Sequence, residues 1–234
     1  MSSPPVSVIA PAKLTVSLRI TGVRDDGFHL LDAEMVTIDL ADTLTFSDGD
    51  GLEIVGADVP ADATNLVARA LLLAGRRAHV RVDKRIPPGA GLGGGSADAA
   101  AVLRWAGVDD LGRAATLGAD VPFCVRGGRA RVTGVGEILE PLPFEERTFT
   151  LVLPPFGCST IDVYRAWDRL GGPSGPGAND LELAALDVEP RLAVWRDRLA
   201  DATGQRPNLA GSGSTWFVVG EYPGDDRMVV RTVG

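Results

Sequence analysis

The sequence contains only two cysteines, Cys124 and Cys158, among its 234 residues. Their spacing matches no pattern of metal ligands, which excludes a cysteine-based metal centre. Stable disulfides are characteristic of oxidising compartments. We therefore expect both thiols to be reduced and buried, as in a cytoplasmic protein.

Long apolar runs and an excess of basic residues are also missing. No apolar segment approaches the length that spans a bilayer, and the N-terminus lacks the basic and apolar regions of a signal peptide. The net charge is −8, and no basic stripe offsets it, which argues against nucleic acid as a partner. We expect a cytoplasmic monomer or homodimer that binds small molecules and has one large domain or two small ones sharing a cleft.

Lysine is scarce as well. Of the 23 basic residues only Lys13 and Lys84 are lysines, and the other 21 are arginines. The ammonium group is a compact point charge on a flexible stem, whereas the guanidinium is a flat fork. A lysine that persists against so strong an arginine bias either marks a position where arginine would not serve or has survived by chance.

The most informative segment is a glycine loop, in which residues 87–101 read PPGAGLGGGSADAAA. Glycine adopts positive φ and leaves no Cβ in the way of a ligand. Ser96 is a good N-cap for the alanine-rich helix that we predict behind it. A loop of free N–H groups that leads into a helix N-terminus binds anions, so we predict a nucleotide phosphate site here.

The same residues also allow interpretations other than a phosphate site. The residues could form an ordinary connection before a helix. Gly89, Gly91 and Gly94 also satisfy the dinucleotide spacing G-x-G-x-x-G, but that fingerprint needs a strand that runs directly into the first glycine. Residues 83–88 separate the strand candidate 78–82 from that glycine. A P-loop is excluded because no Lys-Ser/Thr pair follows the glycines.

Apolar periodicity predicts short helices and mostly antiparallel strands, which together make an α+β fold. The predicted strands cover residues 6–20 with a break at Pro11, 35–40, 43–46, 78–82, 121–125, 129–132, 137–142, 148–153, 208–210, 215–219 and 228–233. The predicted helices cover residues 65–74, 96–106, 110–117, 159–170 and 190–202. We expect the stripe Leu192, Trp195 and Leu199 on the last helix to face the core.

Three further segments have the composition of a site, and each also has a simpler structural interpretation. Lys13 interrupts an apolar strand, where it could be an edge lysine whose ammonium reaches solvent. Asp120 stands alone among apolar residues, where a buried carboxylate needs a partner, although aspartate is also a common turn residue. Residues 209–215 form a second glycine turn, which could bring backbone close to a ligand or be a plain β-turn.

Together these segments resemble the GHMP kinases, the superfamily named for galactokinase, homoserine kinase, mevalonate kinase and phosphomevalonate kinase. The likeness covers nearly the whole chain. It is greatest to the members that phosphorylate a cytidine-diphosphate-linked methylerythritol in the non-mevalonate isoprenoid pathway. The glycine loop alone indicates the superfamily, and Asp26-Gly27-Phe28-His29 with Gly118–Phe123 is more specific. The other matching segments are residues 10–13, 21–22, 134–137, 163–167, 179–180 and 211–213.

The resemblance implies a two-lobed fold around a cleft. The N-terminal lobe, like ribosomal protein S5, would cover residues 1–145, and a ferredoxin-like C-terminal lobe would cover residues 146–234. It also implies an ATP-dependent small-molecule kinase with ATP and Mg²⁺ as cofactors, in which Ser96 contacts a phosphate oxygen or Mg²⁺. The implied ATP-binding residues are Pro88, Gly89, Gly91, Leu92, Gly93, Gly94, Gly95 and Ser96.

The resemblance further implies roles in catalysis and substrate binding. Asp120 would be the general base for the 2-hydroxyl of the substrate, and Lys13 beside it would stabilise charge on the transferred phosphoryl group. His29 would hydrogen-bond the cytosine edge, because imidazole offers a donor and an acceptor. Phe28 and Tyr164 would stack on the base, although both could equally pack in the core. The other implied substrate contacts are Thr15, Gly211 and Ser212.

The match departs from the family pattern in three places. Thr15 stands where the family usually has asparagine, and Phe28 stands where it usually has tyrosine. The chain is also short for the family, with trimmed connections at residues 75–78 and 106–110, and trimming near the first of these could alter the adenine pocket. The sequence is also compatible with a kinase with a different alcohol acceptor, a non-catalytic nucleotide-binding homologue, and an oxidoreductase that uses a nicotinamide cofactor.

Overall fold

The computed structural model describes residues 4–234, and the strands form two sheets. The first sheet is built on a long antiparallel hairpin of its first two strands. Its strands are β1 (Val6–Val23), β2 (His29–Ser47), β3 (Gly51–Val55), β4 (His79–Asp83), β5 (Arg129–Gly134) and β6 (Ile138–Pro141). The order is β3-β4-β2-β5-β6, with β1 also paired to β2, and every pair is antiparallel except the parallel pair β3–β4.

Strand β1 carries the first site residues. Ala12 and Leu14 are fully buried, and Lys13 and Thr15 alternate with them, as side chains on a strand do. The pairing with β2 shifts register between Pro11 and Lys13 and again between Thr15 and Ser17. Such bulges bend a strand and re-aim its side chains, so the segment from Lys13 to Thr15 is set apart from the regular ladder.

Four helices accompany the first sheet, namely α1 (Leu66–Ala74), α2 (Gly94–Ala106), α3 (Leu111–Ala115) and α4 (Val121–Arg126). Helix α2 is buried along residues 97–103. Its run of alanines allows α2 to pack closely against the surrounding elements. The side chain of Asn65 caps α1, and that of Asp110 caps α3.

The second sheet has the strand order β10-β7-β9-β8, and all of its pairs are antiparallel. Its strands are β7 (Thr148–Val152), β8 (Asn208–Leu209), β9 (Trp216–Val219) and β10 (Met228–Arg231). Three helices belong to this half of the chain: α5 (Thr160–Arg169), α6 (Glu182–Val188) and α7 (Leu192–Thr203). The predicted N-cap Ser159 accepts a hydrogen bond from the Asp162 amide at the start of α5.

The predicted α+β fold is confirmed, and five elements differ from the prediction. Residues 121–126 form helix α4 instead of a strand, because a short apolar run buried on all sides has no periodicity that separates the two. Strands β1 and β2 are each continuous, where the sequence predicts breaks. Strand β3 and helix α6 are additional, and both are short.

The two sheets are joined by residues 142–147 and by backbone contacts beyond that connection. The Val233 amide donates to the Thr37 carbonyl, and the Leu18 amide donates to the Ala178 carbonyl. The predicted boundary after residue 145 falls in this connection and stays a prediction. Within residues 4–234 no helix is both long and apolar enough to cross a bilayer.

Both cysteines are unpaired and buried, as predicted. Burial raises the pKa of the Cys124 thiol to about 12 and that of the Cys158 thiol to about 11. Neither sulfur is therefore an activated nucleophile at neutral pH.

Candidate active site

A cleft of about 880 Å³ lies beside the glycine loop. Its walls come from both halves of the chain: β1, β2 and the start of α2 on one side, and α5 with the turn Gly211–Ser212 on the other. All of the site residues predicted from the sequence line this cleft, although their roles stay predictions. They are Lys13, Thr15, Phe28, His29, Pro88, Gly89, Gly91, Leu92, Gly93, Gly94, Gly95, Ser96, Asp120, Tyr164, Gly211 and Ser212.

The glycine loop is held by backbone hydrogen bonds to three distant segments. Its carbonyls at residues 89, 90 and 92 accept from the amides of Cys158, Thr215 and Lys13, each at 3.1 Å. Gly91 has φ of +77°, and a Cβ there would lie 2.3 Å from the Ala210 carbonyl oxygen. The close approach leaves room for glycine alone, so the turn at residues 209–215 is a site element that shapes the loop.

Helix α2 begins at Gly94, and its N-cap is Gly93, with φ of +70° and no side-chain capping bond. The prediction that Ser96 caps this helix is therefore wrong. The chain enters the helix through a left-handed glycine, so the helix starts earlier and Ser96 lies half-buried in its first turn. Because no side chain caps the first turn, its N–H groups remain available to an anion from the cleft.

Lys13 and Asp120 lie together at the base of the cleft. The Lys13 Nζ atom is 3.3 Å from the Asp120 carboxylate and donates to the Thr15 hydroxyl at 3.0 Å. Lys13 is 5% exposed, which rules out an edge lysine that reaches solvent. The Asp120 side chain is 30% exposed and faces the cleft from the start of α4. The pair therefore presents one carboxylate to a ligand, with an ammonium directly behind it.

The second lysine lies in a buried cluster beneath the glycine loop. Lys84 donates to the carboxylates of both Asp42 and Asp98, to the latter at 2.7 Å. Asp42 also accepts from the amides of Arg85 and Ile86, whereas one oxygen of Asp98 has no partner. Burial raises the pKa of Asp98 to about 7, against the lowering effect of the Lys84 charge. One ammonium thus serves two carboxylates, and Asp98 is the less satisfied of them.

A cluster of rings forms the opposite wall of the cleft. The His29 ring lies 4.8 Å from the Tyr164 ring and 5.4 Å from the Trp167 ring, between centroids. Burial raises the pKa of the Tyr164 hydroxyl above its ordinary range, and the charge of Asp120 adds to the effect. Phe28 is 60% exposed, so core packing does not explain its presence.

The turn at Gly211–Ser212 closes the cleft over the lysine. The Cβ position of Gly211 is 3.4 Å from the Lys13 Nζ atom. The Ser212 hydroxyl lies 2.9 Å from the Thr160 hydroxyl, which joins the turn to the start of α5. Asn179 donates to the carbonyls of Leu209 and Gly211, so a buried amide holds both ends of the turn.

Sequence reasoning missed several residues that line the cleft. Most of them lie on elements whose position only the fold reveals, such as the first turns of α1 and α5. Asn65 and Asp98 carried no recognisable signal, although Asp98 directly follows the glycine loop, and Arg165 lies in the matching segment 163–167 without having been assigned a role. Asp168 is the notable omission, because its carboxylate contacts His29. Four further ionisable residues line the cleft, namely Lys84, Asp98, Arg165 and Asp168.

The chain is similar to a known protein family and to several curated relatives. The family described as GHMP kinases N terminal domain matches residues 60–128, which include the glycine loop. The 4-diphosphocytidyl-2-C-methyl-D-erythritol kinase of Paracoccus denitrificans is 41% identical over 231 residues, which cover 89% of this chain and 84% of that relative. The kinase of the same name from Protochlamydia amoebophila is 34% identical over 245 residues, covering 92% and 85%.

Two solved structures are similar to this chain, one in both sequence and fold and the other in fold. A crystal structure of 4-(cytidine 5'-diphospho)-2C-methyl-D-erythritol kinase matches with a TM-score of 0.78 and 33% identity over 98% of this chain and 100% of that one. The mevalonate kinase of Methanococcus jannaschii matches with a TM-score of 0.61 at 12% identity, over 99% of both chains. The second likeness concerns the fold alone.

Proposed function

Because the chain belongs to the 4-diphosphocytidyl-2-C-methyl-D-erythritol kinases of the GHMP kinase superfamily, we propose that it transfers the γ-phosphoryl group of ATP to the 2-hydroxyl of that cytidine-linked alcohol. The reaction is a step of isoprenoid synthesis by the non-mevalonate route. The observation that carries the proposal is the Lys13–Asp120 pair, 3.3 Å apart and next to the glycine loop.

The glycine loop is the proposed site of the ATP phosphates. The start of α2 offers N–H groups and the positive end of a thirteen-residue helix to an anion. The Lys13 side chain adjoins the loop, since a Cβ on Gly93 would lie 2.8 Å from its Cγ atom. A triphosphate in this cradle would therefore have its terminal phosphate near both Lys13 and Asp120.

Phosphoryl transfer requires little of the protein beyond positioning and electrostatic stabilisation. The substrate oxygen attacks the γ-phosphorus, its proton passes to the Asp120 carboxylate, and the bond to the departing ADP breaks. Lys13 would face the transferred group with its ammonium, and electrostatic stabilisation by a buried side chain is worth more than the same interaction in water. Its contacts with Asp120 and Thr15 hold the ammonium in place.

Mg²⁺ is the expected companion of ATP, and the donors in the cleft fit its chemistry. In proteins this ion keeps several waters and takes most other ligands from one or two protein oxygens and the substrate phosphates. Within the described residues there is no group of three or more His, Cys, Asp and Glu side chains that could hold a metal by itself. Ser96, which lines the cleft at the start of α2, is the proposed protein contact, and the ion would neutralise phosphate charge.

The cytidine end of the substrate is proposed to lie against α5. His29 would read the base edge, while Phe28 and Tyr164 provide aromatic faces for stacking. Phe28 lacks the hydroxyl of a tyrosine but keeps the ring on which stacking depends. Near Lys13, the substrate would meet its three remaining proposed contacts, which are Thr15, Gly211 and Ser212.

A turnover assay tests the proposal. Incubation with ATP, Mg²⁺ and the cytidine-linked methylerythritol should yield ADP and a 2-phosphate, identified by ³¹P NMR. Asp120→Asn should lower kcat by roughly 10²–10⁴-fold, the usual contribution of a general base, while ATP binding persists in calorimetry. A folded wild-type protein that releases no ADP with this substrate contradicts the proposal.

The assay also separates the alternatives. Turnover with mevalonate, homoserine or a sugar, and not with the cytidine compound, would indicate a different acceptor. ATP binding without transfer to any of them would indicate a non-catalytic homologue. A nicotinamide cofactor is disfavoured by the geometry, because β4 ends at Asp83 and residues 84–88 intervene before Gly89, so no strand runs into the first glycine.

A further inference from the structure

Asp168 makes a contact that local structure does not explain. It lies in the last turn of α5, where a negative charge is unfavourable because the helix dipole is negative at that end. Its side chain is 51% exposed, yet one carboxylate oxygen lies 2.8 Å from Nε2 of His29, whose side chain is only 10% exposed. The two residues are 139 positions apart in the chain. The fold therefore brings this carboxylate to the imidazole against the local preference of the helix.

Helix α5 surrounds the imidazole with three of its side chains. Tyr164, Trp167 and Asp168 stand at positions i, i+3 and i+4, which form one face of a helix. The Trp167 ring meets the His29 ring edge-on at 84°, and the Tyr164 ring is tilted by 42°. The rings limit where the imidazole can lie, and the carboxylate selects which of its nitrogens turns toward α5.

The hydrogen bond also decides which ring nitrogen carries the proton. An ionised carboxylate only accepts hydrogen bonds, so Nε2 of His29 must be the donor. In a neutral imidazole the other nitrogen, Nδ1, is then an acceptor. An acceptor at this position suits the exocyclic amine of cytosine, which donates. Uracil has a carbonyl oxygen at the same place, and two acceptors facing each other disfavour binding.

We propose that Asp168 is a positioning residue that determines the choice of base: it holds His29 with Nδ1 as an acceptor, so that the site takes cytidine and rejects uridine. The inference rests on the proposed function, because it assigns a base to the cleft wall formed by α5. Asp168 would touch neither the reacting hydroxyl nor ATP, because it acts through His29. Its effect should accordingly appear in KM for the cytidine compound and not in kcat.

Steady-state kinetics of Asp168→Ala test the proposal at a pH well above the ordinary histidine range. We expect KM for the cytidine compound to rise roughly tenfold, as for the loss of one hydrogen bond. KM for ATP should stay within about twofold, since the ring cluster lies away from the glycine loop. The preference for the cytidine over the uridine compound should fall in parallel. Asp168→Asn, which keeps an acceptor oxygen, should restore part of the loss.

Asp162→Ala is the matched control, because Asp162 is exposed on the same helix and its side chain pairs only loosely with Arg165, at 3.7 Å. It should leave both KM values unchanged. Histidine ¹⁵N NMR supplies a readout independent of turnover, since the chain has two histidines and His79→Gln assigns the spectrum. Wild-type His29 should show a protonated Nε2 with an observable N–H proton that Asp168→Ala loses.

Three results would overturn the proposal: a proton on Nδ1 of His29 in the wild type, an unchanged KM for the cytidine compound in Asp168→Ala, or an equal rise for ATP. If the wild-type protein transfers no phosphate to the cytidine compound, the proposed function is refuted and the role of Asp168 is not. In that case the histidine spectrum and calorimetry with CDP and UDP still decide the role of Asp168. Preference for CDP in the wild type, reduced in Asp168→Ala, supports it, and equal binding refutes it.

Discussion

Lys13 and Lys84 are both almost fully enclosed, yet their ammonium groups meet different numbers of carboxylates. Lys13 meets one, Asp120, which is itself open to the cleft. Lys84 meets two, Asp42 and Asp98, both of which are buried. The Lys84 ammonium is therefore occupied by two buried carboxylates and stabilises the structure beneath the loop. The Lys13 ammonium has one carboxylate partner and can also bind an anion in the cleft.

Lys13→Arg should not behave as a conservative change. The side chain runs between Gly93 and Gly211, whose Cβ positions lie 2.8 Å from Cγ and 3.4 Å from Nζ of the lysine. A planar guanidinium needs more width than an ammonium, so the charge should be displaced from the reacting group. We expect kcat to fall roughly a hundredfold, with ATP binding retained. Stopped assays and calorimetry measure the two quantities.

The exposed swap Arg77→Lys is the control for this prediction, because the Arg77 side chain is 82% exposed. It should change neither kcat nor ATP affinity. Full activity of Lys13→Arg would show that the scarcity of lysine in the sequence has no functional meaning at this position.

Asp98 should make stability depend on pH. Its pKa is raised to about 7 in the folded protein by burial, against about 3.9 for an exposed aspartate. Between about pH 4 and about pH 7 the folded state therefore holds a proton that the unfolded chain has lost, and the free energy of unfolding falls as pH rises through this window. Asp98→Asn should remove this slope. Urea denaturation at several pH values measures it.

Asp25→Asn serves as the control in the same series, since Asp25 lies in an exposed turn. The informative quantity is the difference in slope between each variant and the wild type, because the other carboxylates then cancel. If the Asp98→Asn curve runs parallel to that of the wild type, Asp98 is ionised throughout the window.

At the scale of elements, the glycine loop depends on close backbone contact with the turn at residues 209–215. Gly91→Ala would place a methyl group 2.3 Å from one carbonyl oxygen and 2.8 Å from another, at a φ of +77°. The left-handed conformation alone costs about 1–2 kcal/mol for a residue with a Cβ. We expect a lower Tm and a weaker affinity for ATP, since the loop must move. Differential scanning fluorimetry and calorimetry test both effects.

Gly107→Ala separates conformational strain from steric contact. Gly107 ends α2 with φ of +74°, and nothing lies within 4 Å of its Cβ position. Its substitution should lower Tm by about 2–4 °C per kcal/mol of strain and leave ATP affinity intact. Equal ATP affinities for the two variants would mean that the loop tolerates displacement at Gly91.

At the scale of the whole molecule, the cleft exists only where the two halves of the chain meet. Lys13 and the glycine loop come from the first half, whereas Tyr164, Asp168 and the turn at Gly211 come from the second. A ligand that contacts both walls should therefore stabilise the native state as a unit. We expect Tm to rise with ATP, with CDP, and further with both, in proportion to the logarithm of ligand concentration over Kd.

A nucleotide panel in a thermal-shift assay checks this expectation, with UDP in place of CDP as the control for the base. UDP should raise Tm less than CDP at equal concentration. A shift with ATP and none with CDP would mean that the wall formed by α5 does not bind a pyrimidine nucleotide.

Much of the fold could be predicted from the sequence, because helix caps and glycine turns are determined by short stretches of neighbouring residues. The start of the helix after Ser159 depends on residues next to one another in the chain, and so does the left-handed backbone that the loop glycines permit, although distant segments hold the loop in place. Helix α4 escaped prediction because its apolar residues are buried on all sides. The start of α2 was misplaced because a left-handed glycine replaced the expected serine cap. Local sequence patterns thus gave the wrong secondary structure where burial on all sides, or a left-handed residue before the first helical turn, determined the structure.

The sequence by itself determined the chemistry of the site: a glycine cradle, one lysine, one aspartate and a histidine, all of which line one cleft. Only the tertiary structure decided which charges meet. Lys84 joins Asp42 to Asp98, and Asp168 reaches His29 across 139 positions of the chain. The reason is physical: backbone propensities act between neighbours, whereas an ion pair or a hydrogen bond between distant residues exists only after packing has brought them together.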